Sequence, residues 1–140
     1  MSLVRISVYS STTSKDRSAI ADAVYEAMRE TIGIPEGDRF IVVTPHGPDE
    51  LFIDATFKGV QRTEQYVLVQ IFLSRGRTTK QKQALYARVA KRLFEAAHVP
   101  ADDVMIVLNE NGLEDWSYGK GEDQFVLDPP AWVRKLEEGN

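Results

Sequence analysis

Residues 66–77 read Y-V-L-V-Q-I-F-L-S-R-G-R, a nearly unbroken apolar, β-branched and aromatic run that stops at two arginines flanking a glycine. A run of that length bounded by turn chemistry predicts a strand buried on both faces, and so the central strand of a sheet. Arg75 and Arg77 stand where that strand ends, two positions apart. On an extended backbone they project the same way and form a candidate anion site. Planar guanidinium forks suit bidentate binding of a carboxylate, although arginines at a loop are also commonly just solvated.

The order strand, cap, helix, turn, strand occurs on either side of this run. Val4, Ile6 and Val8 alternate with Arg5 and Ser7 in the period-two pattern of a strand. Thr12, Thr13, Ser14 and Asp16 suit a helix cap, and Ile20, Ala23, Val24, Ala27 and Met28 follow at helical spacing. Gly33 and Pro35 mark the stop, which gives a helix over Ser14 to Ile32 and a strand over Phe40 to Thr44. After the central run, Thr78, Thr79 and Gln81 form a capping box, and a helix over Thr79 to Ala97 leads to a strand over Val104 to Leu108.

These two units align without a gap at an offset of 65, which places Ser14 on Thr79, Pro35 on Pro100, Asp38 on Asp103 and Ile41-Val42 on Ile106-Val107. The chain is therefore an internal repeat of one β-α-β unit, spanning about residues 3–44 and 67–108. Right-handed crossovers make the strands of each unit parallel. The expected fold is α+β: one domain over residues 1–140, with a four-stranded mixed sheet and two helices on one face, followed by a tail over 109–140. No long third helix remains to cover the other sheet face, which predicts burial in a homo-oligomer. Pro129 and Pro130 leave room only for a short terminal helix over Ala131 to Glu137. The connector from Pro45 to Gln65 reads as loop with a small extended or 3₁₀ segment, and His46, between prolines, reads as a loop residue.

Composition sets the function classes. A net charge of −4 with no basic run argues against nucleic acid as a partner. No apolar stretch is long enough to span a bilayer, the N-terminus lacks signal-peptide character, and there is no cysteine, all of which point to a cytoplasmic protein without a membrane partner. With two histidines, His46 and His98, a His/Cys metal centre is not expected. His98, at the end of the second helix, reads as a surface residue. No Gly-rich phosphate loop opens a helix. Asp38 can be read as a turn aspartate, and Trp116, Tyr118 and Phe125 as aromatics docking a polar tail onto protein or walling a small apolar pocket.

The opening strand L-V-R-I-S-V, the turn P-E-G-D-R-F, the stretch S-R-G-R-T-T and the tail segment D-W-S-Y-G-K-G together carry a family resemblance. The chain resembles the tautomerase superfamily (a MIF-like fold), and within it malonate semialdehyde decarboxylase and its relatives, from Leu3 to about Leu127. The resemblance implies a homotrimer, a small carboxylate-bearing oxo acid as substrate, and no cofactor. It also implies an N-terminal proline, exposed by loss of the initiator methionine. That amine serves as base in tautomerases and, protonated, polarises the substrate carbonyl in the decarboxylase.

By the same resemblance Asp38 matches the acidic helper, Arg75 and Arg77 the substrate-binding arginines, and Trp116, Tyr118 and Phe125 the aromatic wall. This chain has Ser2 where the family has proline. Two readings of Ser2 stand open: a natural variant lacking the usual catalyst, and an end change replacing a native proline during recombinant work. The expected activity is decarboxylation with hydration, or keto-enol tautomerisation. The alternative is a non-catalytic trimeric binding protein that keeps the fold and the anion pocket.

Overall fold

The computed structural model describes residues 2–131, 133 and 134. Strand β1 (Ser2–Tyr9) leads into helix α1 (Ser14–Ile32) and strand β2 (Ile41–His46). After the connector, β3 (Val67–Ser74), α2 (Thr79–Ala97) and β4 (Val104–Asn111) repeat the order, and a four-residue helix α3 (Gln124–Leu127) lies in the tail. The bounds of β3 and α2 fall 65 positions beyond those of β1 and α1, so the sequence repeat is a structural one.

The four-stranded sheet runs β2-β1-β3-β4. β1 pairs in parallel with β2 and β3 with β4, while β1 and β3 meet antiparallel, with Val4 opposite Ile71. The run at 66–77 thus supplies an interior strand, but one buried on a single face: Val67, Val69, Ile71 and Leu73 are buried, whereas Leu68, Gln70 and Phe72 are only half-buried because no element among the described residues covers that side. Each unit stays parallel because its crossover is a helix, and the units join antiparallel across β1 and β3.

Both helices begin on designed caps. Thr13 Oγ1 accepts from the Asp16 N–H at 3.1 Å. Thr78 and Gln81 cap each other reciprocally, at 2.9 and 3.2 Å. The helices end in the left-handed region, at Gly33 (φ 65°) in the first unit and at His98 (φ 56°) in the second. His98 is therefore a helix terminator, exposed, with its ring edge-on to Phe94.

One face of the sheet carries the core. Val4, Ile6 and Val8 of β1 and Val67, Val69, Ile71 and Leu73 of β3 are buried against Ile20, Val24 and Met28 of α1 and Leu85, Val89 and Leu93 of α2. Glu30 of α1 takes Arg88 and Arg92 of α2, which ties the helices together at their surface. The opposite face is uncovered: Val42, Met105 and Val107 are 49%, 43% and 36% exposed, and Leu68 and Phe72 are half-buried.

Several bounds differ from the sequence reading. β2 continues through Pro45 to His46, which lies opposite Tyr9. His46 is thus a strand end instead of a loop residue, and Pro45 is tolerated because β2 is an edge strand with no outer neighbour needing its N–H. β4 runs on to Asn111 because the ladder is made of backbone bonds, to which the polar side chains of Asn109 and Asn111 are indifferent. The connector holds one 3₁₀ turn at Phe57–Gly59. Of the terminal helix expected over Ala131 to Glu137, Ala131, Val133 and Arg134 are helical and the rest lies outside the described residues. Among the described residues no helix is long and apolar enough to cross a membrane.

Candidate active site

The turn that ends α1 builds the first side of the site. Gly37, at φ 89°, adopts a backbone shape that disfavours side chains, and its N–H donates to the Tyr25 hydroxyl at 3.2 Å. The Asp38 N–H then donates to the Pro35 carbonyl at 3.2 Å. Asp38 is thereby held beside the start of β1, where its Oδ1 accepts from the Ser2 backbone nitrogen at 3.3 Å. The nitrogen of residue 2 and this carboxylate are joined directly.

The end of β3 builds the second side. The strand stops at Ser74, and Gly76 (φ 125°) turns the chain, so the backbone between the arginines is not extended. They consequently part. Arg77 is half-buried and its Nη1 donates to the Ser74 carbonyl at 2.8 Å. Arg75 is exposed, and its backbone N–H donates to the Asn111 carbonyl at 2.9 Å. Burial lowers the Arg77 guanidinium from its ordinary value, opposed by the negative charges of Asp38 and Glu110. An arginine nonetheless remains cationic at any physiological pH.

The tail supplies the wall. Trp116 is oriented by its Nε1–H, which donates to Asn111 Oδ1 at 2.6 Å. Tyr118 stacks on it with centroids 5.7 Å apart and planes 9° from parallel. Phe125 meets Tyr118 edge-on at 5.2 Å, and Phe40 meets it tilted at 5.6 Å. Burial, and then the charge of Asp38, push the Tyr118 hydroxyl well above its ordinary value, so it keeps its proton.

These parts enclose a cavity of about 570 Å³, within the range typical of small-molecule sites, lined by Asp38, Arg77, Phe40, Tyr118, Gln124 and Phe125 among others. A neighbouring cavity of about 450 Å³ is lined by Ser2, Leu3, Phe72, Asn111 and Trp116, and by the same Phe40 and Tyr118. Asp38, Arg77, Tyr118 and Phe125 thus share one cavity, Ser2 and Trp116 share the next, and Arg75 lines neither. Phe40 and Gln124 were not foreseen. Phe40 was legible in principle, since residues i and i+2 of an extended segment point the same way and Asp38 was already a candidate. Among the described residues there is no group of three or more His, Cys, Asp or Glu placed to hold a metal ion.

The repeat sets Asp38 apart from its counterpart. Asp103, the counterpart of Asp38, is fully buried and accepts from the Thr63 N–H at 2.5 Å and the Thr63 hydroxyl at 2.7 Å. Where the first unit leaves its aspartate facing a cavity, the second uses it to fasten the connector. Thr12 stands at the repeat position of Arg77. Replacing Asp103 by alanine strips two bonds made by a fully buried carboxylate, so a loss of about 3 kcal/mol is expected in urea unfolding. A loss under about 1 kcal/mol would mean that the connector is secured by other contacts.

Comparison with known proteins gives the family of the chain. The family model described as "Tautomerase enzyme" matches residues 38–119, from the acidic turn to the glycine after Tyr118. The probable tautomerase YusQ of Bacillus subtilis (strain 168) is 36% identical over 107 residues, 76% of this chain and 84% of that protein. The probable tautomerase YrdN of the same organism is 28% identical over 126 residues, 90% of this chain and 97% of that protein. Among solved structures, FG41 malonate semialdehyde decarboxylase inhibited by 3-bromopropiolate superposes with a TM-score of 0.86 at 36% identity, covering 92% of this chain and 98% of that one. A fused 4-OT symmetric trimer, at 19% identity and a TM-score of 0.74 over 90% of this chain and 98% of that one, shares the fold. By the extent of the matched model and of the first of these relatives, the chain belongs to the tautomerase family of enzymes.

Proposed function

We propose that the chain acts without a cofactor on a small carboxylate-bearing oxo acid, in the manner of malonate semialdehyde decarboxylase. One observation carries the reading: Arg77 and Asp38 face a single aromatic-walled cavity, and that Asp38 is bonded to the nitrogen of residue 2. Arg77 holds the substrate carboxylate. The residue-2 amine, freed when Met1 is removed, donates a proton to the substrate or takes one from it. Asp38 orients that amine or a water, and Trp116, Tyr118 and Phe125 exclude bulk solvent. Arg75, exposed two residues away, is the secondary arginine.

For keto-enol exchange the amine moves a proton between carbon and oxygen. For a 3-oxo acid the protonated amine polarises the carbonyl, the electron pair of the breaking C–CO₂ bond flows toward its oxygen, and the enol is reprotonated at carbon. Fixed cations where oxygen charge develops stabilise both transition states. The test is turnover of phenylenolpyruvate and malonate semialdehyde by this chain and by its Ser2→Pro version. Turnover of neither by the proline version would remove the enzyme reading.

A second reading has one observation in its favour. Ser2, if native, lacks the family's secondary amine, and the chain is then a non-catalytic binding protein with an anion pocket. In either case we propose a homotrimer, because the sheet face bearing Val42, Leu68, Phe72, Met105 and Val107 needs cover and the related fused 4-OT is a symmetric trimer. Light scattering at micromolar concentration should give three chain masses. A monomer would count against it.

A further inference from the structure

We propose that Gln124 is a positioning residue of this site, fixing Tyr118 where it lies, with Phe40, between the two cavities. The proposal rests on the reading of the larger cavity as a carboxylate site. Gln124 is the first residue of α3. Its Oε1 accepts from the Tyr118 N–H at 2.9 Å and its Nε2 donates to the Gly119 carbonyl at 2.7 Å. One side-chain amide thus takes the place of a strand partner for two consecutive backbone groups.

The loop it closes needs such a clamp. Gly119, Lys120 and Gly121 follow one another at φ 140°, 60° and 69°, all in the region that favours glycine, and Lys120 occupies it against the cost of its Cβ. Another bond across the loop is the longer one from the Glu122 N–H to the Gly119 carbonyl, at 3.3 Å. Helix α3 has four residues and brings little rigidity of its own.

What the clamp holds is one of the two rings, Tyr118 and Phe40, that line both cavities. Tyr118 stacks on Trp116 and touches Phe40 and Phe125, and Phe125 directly follows Gln124. Gln124 also lines the larger cavity, but both ends of its amide are bonded to backbone, and in this proposal its effect on a ligand runs through the placement of Tyr118. Loss of the clamp lets the ring leave the wall and joins the two cavities.

A double-mutant cycle on binding tests this directly, with phenylpyruvate as the probe and calorimetry as the readout. Gln124→Met keeps the volume and removes both bonds. It is expected to weaken binding about 10-fold in the parent chain and less than about 2-fold in a Tyr118→Ala background, with loss of the near-ultraviolet dichroism of the Trp116–Tyr118 stack. Unchanged affinity in the parent would overturn the proposal, and so would the same 10-fold loss without the Tyr118 ring. Gln124→Glu keeps the acceptor for Tyr118 and loses the donor to Gly119. It is expected to be intermediate, and it carries the cycle if the methionine variant does not fold. A parent that binds phenylpyruvate while its Ser2→Pro version turns over no oxo acid removes the catalytic reading alone. A parent that binds none overturns the role of Gln124 as well.

Discussion

Replacing Arg77 by alanine in the Ser2→Pro protein is expected to lower kcat/KM for a small oxo acid by about 10²–10³-fold, with KM rising and kcat falling together. Both constants move because the guanidinium is asked to do two things. In the proposed function it binds the ground-state carboxylate, where a charged hydrogen bond contributes about 1.5–3 kcal/mol, and it faces the charge that develops on oxygen in the transition state. Half-burial strengthens both roles, since the charge sits in an aromatic-walled cavity that screens it less than water does. Arg75, exposed and outside that lining, is expected to cost no more than about 10-fold when replaced by alanine. Steady-state kinetics on the two variants measure the difference. Unchanged kinetics for Arg77→Ala would leave that side chain with only its structural bond to the Ser74 carbonyl.

The Ser2→Pro exchange itself is expected to raise kcat/KM by about 10²–10⁴-fold, the usual contribution of a positioned acid–base group. The surroundings are ready for it: Ser2 is 2% exposed, its nitrogen reaches Asp38, and its strand is zipped to β3 with Ser2 opposite Leu73. Rigid placement favours proton transfer, and a proline at this end leaves its secondary amine where the serine nitrogen lies now. With serine kept at this position and Met1 removed, a primary amine of ordinary pKa about 7.7–8.0 gives some chemistry, so the parent should retain weak turnover. Mass spectrometry must accompany the assay, because an acylated residue-2 nitrogen cannot be protonated. A proline version with a free amine and rates no better than the parent would sink the proposed role of this residue.

Much of the fold was legible because two signals agreed. The helices were bounded by caps whose side-chain chemistry is local, Thr13 with Asp16 and Thr78 with Gln81, and the repeat let each unit check the other. Strand ends were less legible, since the backbone ladder carries β2 to His46 and β4 to Asn111 whatever their side chains favour. The candidate site could be read from the sequence only as a set of residue types, without their arrangement. Two arginines flanking a glycine looked like a matched pair, but the glycine breaks the extended chain and sends one inward and the other to solvent. Gln124 had no signal, because its function depends on a loop whose shape is set by three successive positive φ angles.

The uncovered face of the sheet has one more consequence. Arg5 and Gln70 lie opposite each other on the two middle strands, among Leu68, Phe72, Met105 and Val107. An all-apolar face would adhere to any greasy surface it met, during synthesis above all. A charge and an amide at its centre make such indiscriminate adhesion costly, since both would be buried without partners. Only a surface that supplies acceptors at those two points can close over the face. The polar pair therefore acts as an address: it narrows the set of acceptable neighbours to one shape and one chemistry.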